Sequence, residues 1–133
     1  MKVADLMHTP VHSILPDATV EEALVTLADY HISALPVVDS KGRMIGVISS
    51  TDLIVAEAEA AHKDTLRQLA EDTEVREIMT PRVLTIRPEA DVREAAEHML
   101  YADIHRLFVV EEDRPVGVIS ASDIAGAVAA GRL

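Results

Sequence analysis

At 133 residues, 49% of them apolar, the chain has the length of one domain and can bury roughly 68–70% of its unfolded surface. With one Phe, two Tyr and no Trp, its core must come from Val, Ile, Leu, Ala and Met; with no Cys, disulfides, thiolate chemistry and Cys-ligated zinc are excluded. A net charge of −11, from 23 acidic and 12 basic residues, repels nucleic-acid backbones and anionic membranes. No stretch approaches the ~20 apolar residues of a membrane span, and Met1-Lys2-Val3-Ala4-Asp5 opens no apolar run of leader length, so a cytoplasmic location is expected.

Residues 11–15 alternate like a strand and end at the turn Pro16-Asp17. Thr19 then opens a helix as N-cap, and Glu22, three residues on, completes a capping box worth ~1 kcal/mol. Apolar positions at Val20, Ala23, Leu24, Leu27, Ala28 and His31 follow a helical stripe. A β-hairpin comes next: residues 34–38, a turn over 39–43, and residues 44–49. Pro36 has no N–H for a ladder, so it belongs at an edge or bulge. The run Leu35-Pro36-Val37-Val38 does not alternate, as expected of a strand covered on both faces. A closing helix is predicted from about Ser50 towards Gln68. Its mixed-charge tract, from Glu57 to Glu74, reads as helix and linker solvated on one side, with a dimer contact as the other reading.

The same order then returns. Laying Val3 on Val75 places Met7 on Met79, Ile14 on Ile86, Pro16 on Pro88, Val20 on Val92 and Leu35 on Leu107. Asp91 and Glu94 repeat the cap, and Val92, Ala95, Ala96, Met99 and Leu100 repeat the stripe. After one deletion in the turn, Gly46-Val47-Ile48-Ser49 and Asp52 meet Gly117-Val118-Ile119-Ser120 and Asp123. So dense a match indicates duplication of a β-α-β-β-α unit, with residues 1–72 as the first repeat and 73–133 as the second. Two copies are too few for a solenoid. The expected class is α/β (α+β): two pseudo-two-fold-related repeats, sheets packed together and helices outside.

The strand-to-helix turn ending at Asp52, and its echo ending at Asp123, are the chemically suggestive features. Such a turn aims free N–H groups and hydroxyls at one spot, a place for a polar ligand. Ser49 to Asp52 and Ser120 to Asp123 also have N-cap to N3 spacing, so both carboxylates read equally as helix caps. Nothing supports catalysis: the serines have no neighbouring His–Asp relay, there is no Gly-rich phosphate loop, and no carboxylates pair for acid–base work. His8 and His12 stand four apart, but His12 falls in a predicted strand and no third ligand is evident, so no metal site is expected. Glu111-Glu112-Asp113 reads as a solvated hairpin tip.

These residues resemble a family. The duplicated unit, with Ile-Ser-Ala-Leu-Pro-Val-Val-Asp at 32–39 and Gly-Val-Ile-Ser-Ser-Thr-Asp-Leu at 46–53, is similar to a CBS domain, and the tandem to a CBS pair or Bateman module. The second copy, with Ile104-His105-Arg106-Leu107 and Gly117-Val-Ile-Ser-Ala-Ser-Asp-Ile124, resembles the nucleotide-binding repeats of the regulatory gamma subunit of AMP-activated kinase. The resemblance implies a stand-alone, non-enzymatic sensor holding AMP, ADP, ATP or S-adenosylmethionine in the cleft between its repeats.

It implies that Asp52 and Asp123 take the ribose hydroxyls, and that Ser49 and Thr51, or Ser120 and Ser122, line the ribose–phosphate path. Ile32 and Ser33, or Ile104, His105 and Arg106, enter at the second strand, and the adenine is walled near Pro10 and His12 or Arg82 and Leu84. Where the second copy has His105-Arg106 the first has Ser33-Ala34, so the Asp123 cleft is expected to be the better phosphate site, a guanidinium binding phosphate bidentately. The resemblance also implies a disk-like homodimer joined through the repeat helices. Signalling would be a population shift in which the ligand favours one packing of the pair. The alternatives are a structural or dimerisation module with vestigial clefts, and sensing of S-adenosylmethionine or a metal ion.

Overall fold

The computed structural model describes residues 1–59, 68, 70–81 and 83–133. In chain order the elements are α1 (Val3–Leu6), α2 (Val20–Asp29), β1 (Ala34–Val38), β2 (Met44–Ser49) and α3 (Ser50–Glu59). Then come α4 (Val75–Ile78), β3 (Thr80–Pro81), β4 (Thr85–Ile86), α5 (Val92–Ala102), β5 (Arg106–Glu111), β6 (Arg114–Ser120) and α6 (Ala121–Ala129). They gather into two compact units. One is continuous, His12–Val83; the other is split, Met1–Val11 with Leu84–Leu133. Relative to the sequence repeats, the units have exchanged their opening segments.

The exchange has a backbone basis, repeated bond for bond. In the continuous unit Val20 donates its N–H to the Thr73 carbonyl at 2.9 Å, and Val75 donates to Ala18 at 2.8 Å. In the split unit Val92 donates to Met1 at 2.9 Å, and Val3 to Ala90 at 2.8 Å. Each pair ties the first helical N–H of one element, which has no partner within its own helix, to the segment beside it. The short helices α1 and α4, which hydrophobic periodicity does not reveal, are closed by their own acids: Lys2 N–H donates to Asp5 Oδ2 at 2.8 Å, and Glu74 N–H to Glu77 Oε2 at 2.7 Å. Their first residues, Val3 and Val75, are fully buried.

The continuous unit carries the sheet β1-β2-β3, antiparallel throughout. Its core joins Val20, Ala23 and Leu27 of α2 to Leu35, Ile48 and Val75. The split unit carries β4-β5-β6, with β4 parallel to β5 and β6 antiparallel. Its core joins Val3, Ala95, Met99, Leu107, Val109 and Ile119. Leu35, Val37, Leu107 and Val109 are all buried to within 1% of full, as expected for strands covered on both faces.

The first strand of each repeat differs from its sequence reading. In the second repeat it survives as β4, but in the first it shrinks to a single parallel bridge between Ile14 and Val37. Ile14 donates to the Pro36 carbonyl at 3.1 Å and accepts from Val38 at 2.9 Å. Pro36 therefore faces this neighbour, and its missing N–H removes the bond that would extend the pairing towards His12; the second repeat has Phe108 there.

The helix caps divide similarly. Thr19 and Glu22 form the reciprocal box, whereas the Asp91 carboxylate turns to the N–H of Arg93 at 2.9 Å. The apolar stripes are only partly core: Val20, Ala23, Leu27, Val92, Ala95 and Met99 are buried, while Leu24 is 39% and Leu100 84% exposed. The predicted closing helix is seen to Glu59, and its extension over 60–67 lies outside the described residues. No helix among the described residues is long and apolar enough to cross a membrane.

Candidate functional site

In each unit a strand delivers a serine that caps the following helix, and an aspartate in the first helical turn closes the box. In the split unit Ser120 N–H donates to Asp123 Oδ2 at 2.8 Å, and Asp123 N–H donates to Ser120 Oγ at 3.1 Å. In the continuous unit Ser49 N–H donates to Asp52 Oδ2 at 2.9 Å, Asp52 N–H returns to Ser49 Oγ at 3.2 Å, and the Ser49 hydroxyl reaches Oδ2 at 3.0 Å. Capping and ligand binding are compatible, because the box uses one carboxylate oxygen and leaves the other pointing outward.

That outward oxygen has a partner from the exchanged segment. Asp52 Oδ1 accepts from the Thr80 hydroxyl at 3.1 Å. Asp123 Oδ1 lies 2.6 Å from His8 Nε2, the imidazole being 70% and the carboxylate 16% exposed. Burial works to raise the Asp123 carboxyl. The His8 hydrogen bond, with the Ser120 N–H and hydroxyl, outweighs it and holds Asp123 below the usual carboxylate range. His8 is fixed by its own backbone, donating to Val118 at 2.8 Å and accepting from Val118 at 3.1 Å.

Gly46 and Gly117 exist for this contact. A Cβ on Gly117 would meet Met7 Sδ at 2.6 Å and the His8 carbonyl at 3.2 Å; on Gly46 it would meet Met79 Sδ and the Thr80 carbonyl, both at 2.9 Å. Glycine lets the exchanged segment lie flat on the strand, which brings His8 and Thr80 to the aspartates.

The remaining predicted residues divide between side-chain and backbone roles. The His105 carbonyl accepts from Ala121 N–H at 2.8 Å, and the Ser33 carbonyl accepts from Ser50 through both N–H, 2.9 Å, and hydroxyl, 3.1 Å. These bonds dock the second-strand entry against the closing helix. Arg106 stands directly opposite Ser120 in the β5–β6 register, so their side chains share a face. Among the described residues Arg106 has no ion-pair partner. Thr51 and Ser122 are exposed in the first turns of α3 and α6.

Ile104 and His105 line an apolar groove of about 270 Å³ between α5 and α6, and Ile32 lines its counterpart of about 280 Å³ between α2 and α3. Each is below the roughly 300–1,000 Å³ of small-molecule pockets. Asp52 and Asp123 line neither groove. His12 stacks on Tyr30, ring centroids 3.5 Å apart and planes 13° from parallel. Leu84 is 45% exposed just before β4, and Arg82 lies outside the described residues.

This duplicated strand-to-helix turn has a match. A family model described as "CBS domain" fits residues 3–59 and again 75–130. The chain belongs to the CBS domain family. Among curated proteins, a homoserine O-acetyltransferase of Methanohalobium evestigatum is 32% identical over 123 residues, 92% of this chain; the chain spans only 23% of that relative's length. Among solved structures, CBSX2 of Arabidopsis thaliana in complex with AMP superposes with a TM-score of 0.81 at 27% identity, covering 99% of this chain and 98% of that one. The CBS domain pair of protein MJ0100, in complex with 5′-methylthioadenosine and S-adenosyl-L-methionine, gives 0.78 at 26% identity, covering 98% of each.

Within this CBS chain, sequence reasoning missed His8 and Thr80 as partners of the aspartates. His8 entered only as a possible metal ligand beside His12. The signal was available: the Val3-on-Val75 alignment places His8 on Thr80, a titratable residue over a hydroxyl, directly after the aligned Met7 and Met79.

Proposed function

We propose that this chain is a non-enzymatic regulatory module that binds an adenine nucleotide, AMP, ADP or ATP, with Asp123 as the principal ribose carboxylate. The observation that carries the reading is the geometry at Asp123. One oxygen is committed to the helix cap, the other points outward from a largely covered side chain, and the Arg106 guanidinium, with no ion-pair partner among the described residues, stands opposite the capping serine. A cis-diol and a phosphate are the groups such a carboxylate and cation suit together. The relatives bound to AMP and to adenosyl ligands support the adenosine class. Ser120, Ser122, Ile104, His105 and Leu84 complete this site.

Asp52, with Ser49, Thr51, Ser33, Ile32 and His12, forms the second, weaker site. Ser33-Ala34 replaces His105-Arg106 there, which suits an uncharged or sulfonium adenosyl group such as S-adenosylmethionine better than a phosphate. The module works as a homodimer. Leu24 and Val25 on α2, Ile54 and Val55 on α3, and Leu100 and Tyr101 on α5 leave large apolar side chains in solvent that a second copy covers.

Calorimetric titration of wild type, Asp52→Ala and Asp123→Ala with AMP, ADP, ATP and S-adenosylmethionine tests the assignment. Asp123→Ala is expected to weaken AMP by about tenfold or more, the loss of charge-assisted hydrogen bonds, and Asp52→Ala by less. If no adenosyl compound binds wild type at millimolar concentration, the sensor reading falls; if Asp52→Ala alone weakens AMP, the ranking of the sites is reversed.

A further inference from the structure

The two aspartates share a cap, a register and a backbone, and differ in what occupies the outward oxygen. At Asp52 the occupant is a hydroxyl, which donates at any physiological pH; at Asp123 it is an imidazole, whose hold on a carboxylate depends on its charge. We propose that His8 is the gating residue of the Asp123 site, competing with a ligand's ribose diol for Asp123 Oδ1, so that proton uptake closes the site and proton loss opens it. The proposal rests on the nucleotide reading above and adds its regulation.

The geometry supports competition. At 2.6 Å from Nε2, Oδ1 already has a partner, while Oδ2 is spent on the cap, so a diol hydroxyl bonding Oδ1 must share it with the imidazole or displace the ring. The imidazolium always carries a proton on Nε2; the neutral ring carries one there only in one of its two tautomers, so losing the charge weakens the hold. His8 is 70% exposed, so its ring can swing into solvent while its backbone stays bridged to Val118. Other groups on the surrounding elements do not duplicate this role. Asp5 of α1 accepts from the Lys2 N–H, Glu111 of β5 is the register partner of Arg114 on β6, and Arg106 lies across from Ser120; His105, ahead of β5, lines the α5–α6 groove, which Asp123 does not line, and on α6 Asp123 is the only ionisable side chain.

The decisive experiment measures AMP and adenosine affinity between about pH 5.5 and about pH 8, the range of imidazole titration, for wild type, His8→Thr and Thr80→His. His8→Thr copies the occupant of the other unit, and comparing proteins at each pH cancels the nucleotide's own titration. The wild-type dissociation constant is expected to rise relative to that of His8→Thr by about two- to fivefold as pH falls, the scale of an exposed ion pair. In Thr80→His, binding that survives Asp123→Ala is expected to acquire the same dependence.

In wild type, AMP is expected to shift the His8 ring resonances in NMR, which a merely structural His8 would not show. A wild-type to His8→Thr ratio that stays constant with pH, or His8 resonances unmoved by a bound ligand, overturns the gate and leaves the nucleotide reading standing. Absence of binding to every variant at every pH overturns both.

Discussion

Set side by side, the continuous and the split unit repeat one local structure and differ in the chemistry around the aspartate, most directly in what meets its outward oxygen. Both lay an exchanged segment on a strand glycine, as a two-residue strand in one and a single bridge in the other, both cap the following helix with a serine, and both turn an aspartate oxygen outward. The occupant of that oxygen is Thr80 in one and His8 in the other. A second difference, Pro36 against Phe108, trims the parallel strand of the continuous unit to a single bridge.

The comparison can be broken most forcefully in the cores. Leu35 and Leu107 are equivalent and buried at 0% and 1% exposure, so Leu35→Ala and Leu107→Ala should each cost about 2–5 kcal/mol in urea denaturation. Well-separated values within that range would show that one unit relaxes around the cavity and the other does not. Next are the glycines. Gly46→Ala should cost more than Gly117→Ala, within about 1–3 kcal/mol. The added methyl meets the Thr80 carbonyl at 2.9 Å, a rigid backbone atom, whereas at Gly117 the nearest atom is the mobile Met7 Sδ and the His8 carbonyl stands off at 3.2 Å. The reverse order would mean that Met7 is the less yielding neighbour.

Smaller again are the caps: Ser49→Ala and Ser120→Ala should each lose about 0.5–2 kcal/mol. The two losses should be of similar size, since each hydroxyl accepts from the aspartate N–H and also contacts the carboxylate, as thermal unfolding of the two variants would show. The smallest effect is in acid. Because Asp123 is held below its ordinary value, the stability it adds is present above about pH 4, the usual carboxylate range, and is lost as pH falls through its lowered folded-state value. The stability gap between wild type and Asp123→Asn, read by denaturation at stepped pH, should therefore be open above about pH 4 and close below it. His8→Ala, lacking the hydrogen bond that helps lower Asp123, should narrow the gap at neutral pH.

Much of this was legible in the residue order. The Thr19–Glu22 box, the Asp91 cap, both hairpins and the two capped turns are interactions between residues two to four apart or across a short turn, and such contacts leave their spacing in the sequence. The helix stripes were read too wide, because periodicity marks a face without saying how much of it is covered; Leu24 and Leu100 share the pattern of Leu27 and Met99 but stay in solvent. The short helices α1 and α4 escaped notice because four residues span barely one turn, too little for a periodic signal.

By itself, then, the sequence determined that the chain is a duplicated CBS unit, which elements each copy forms, and which aspartate opens each closing helix. Only the tertiary structure decided that the copies exchange their opening segments, and therefore that His8 meets Asp123. The physical reason is range. Caps, turns and stripes are settled within a few residues, whereas the His8–Asp123 bond joins side chains 115 positions apart and exists only once β6, Gly117 and the exchanged segment have come together.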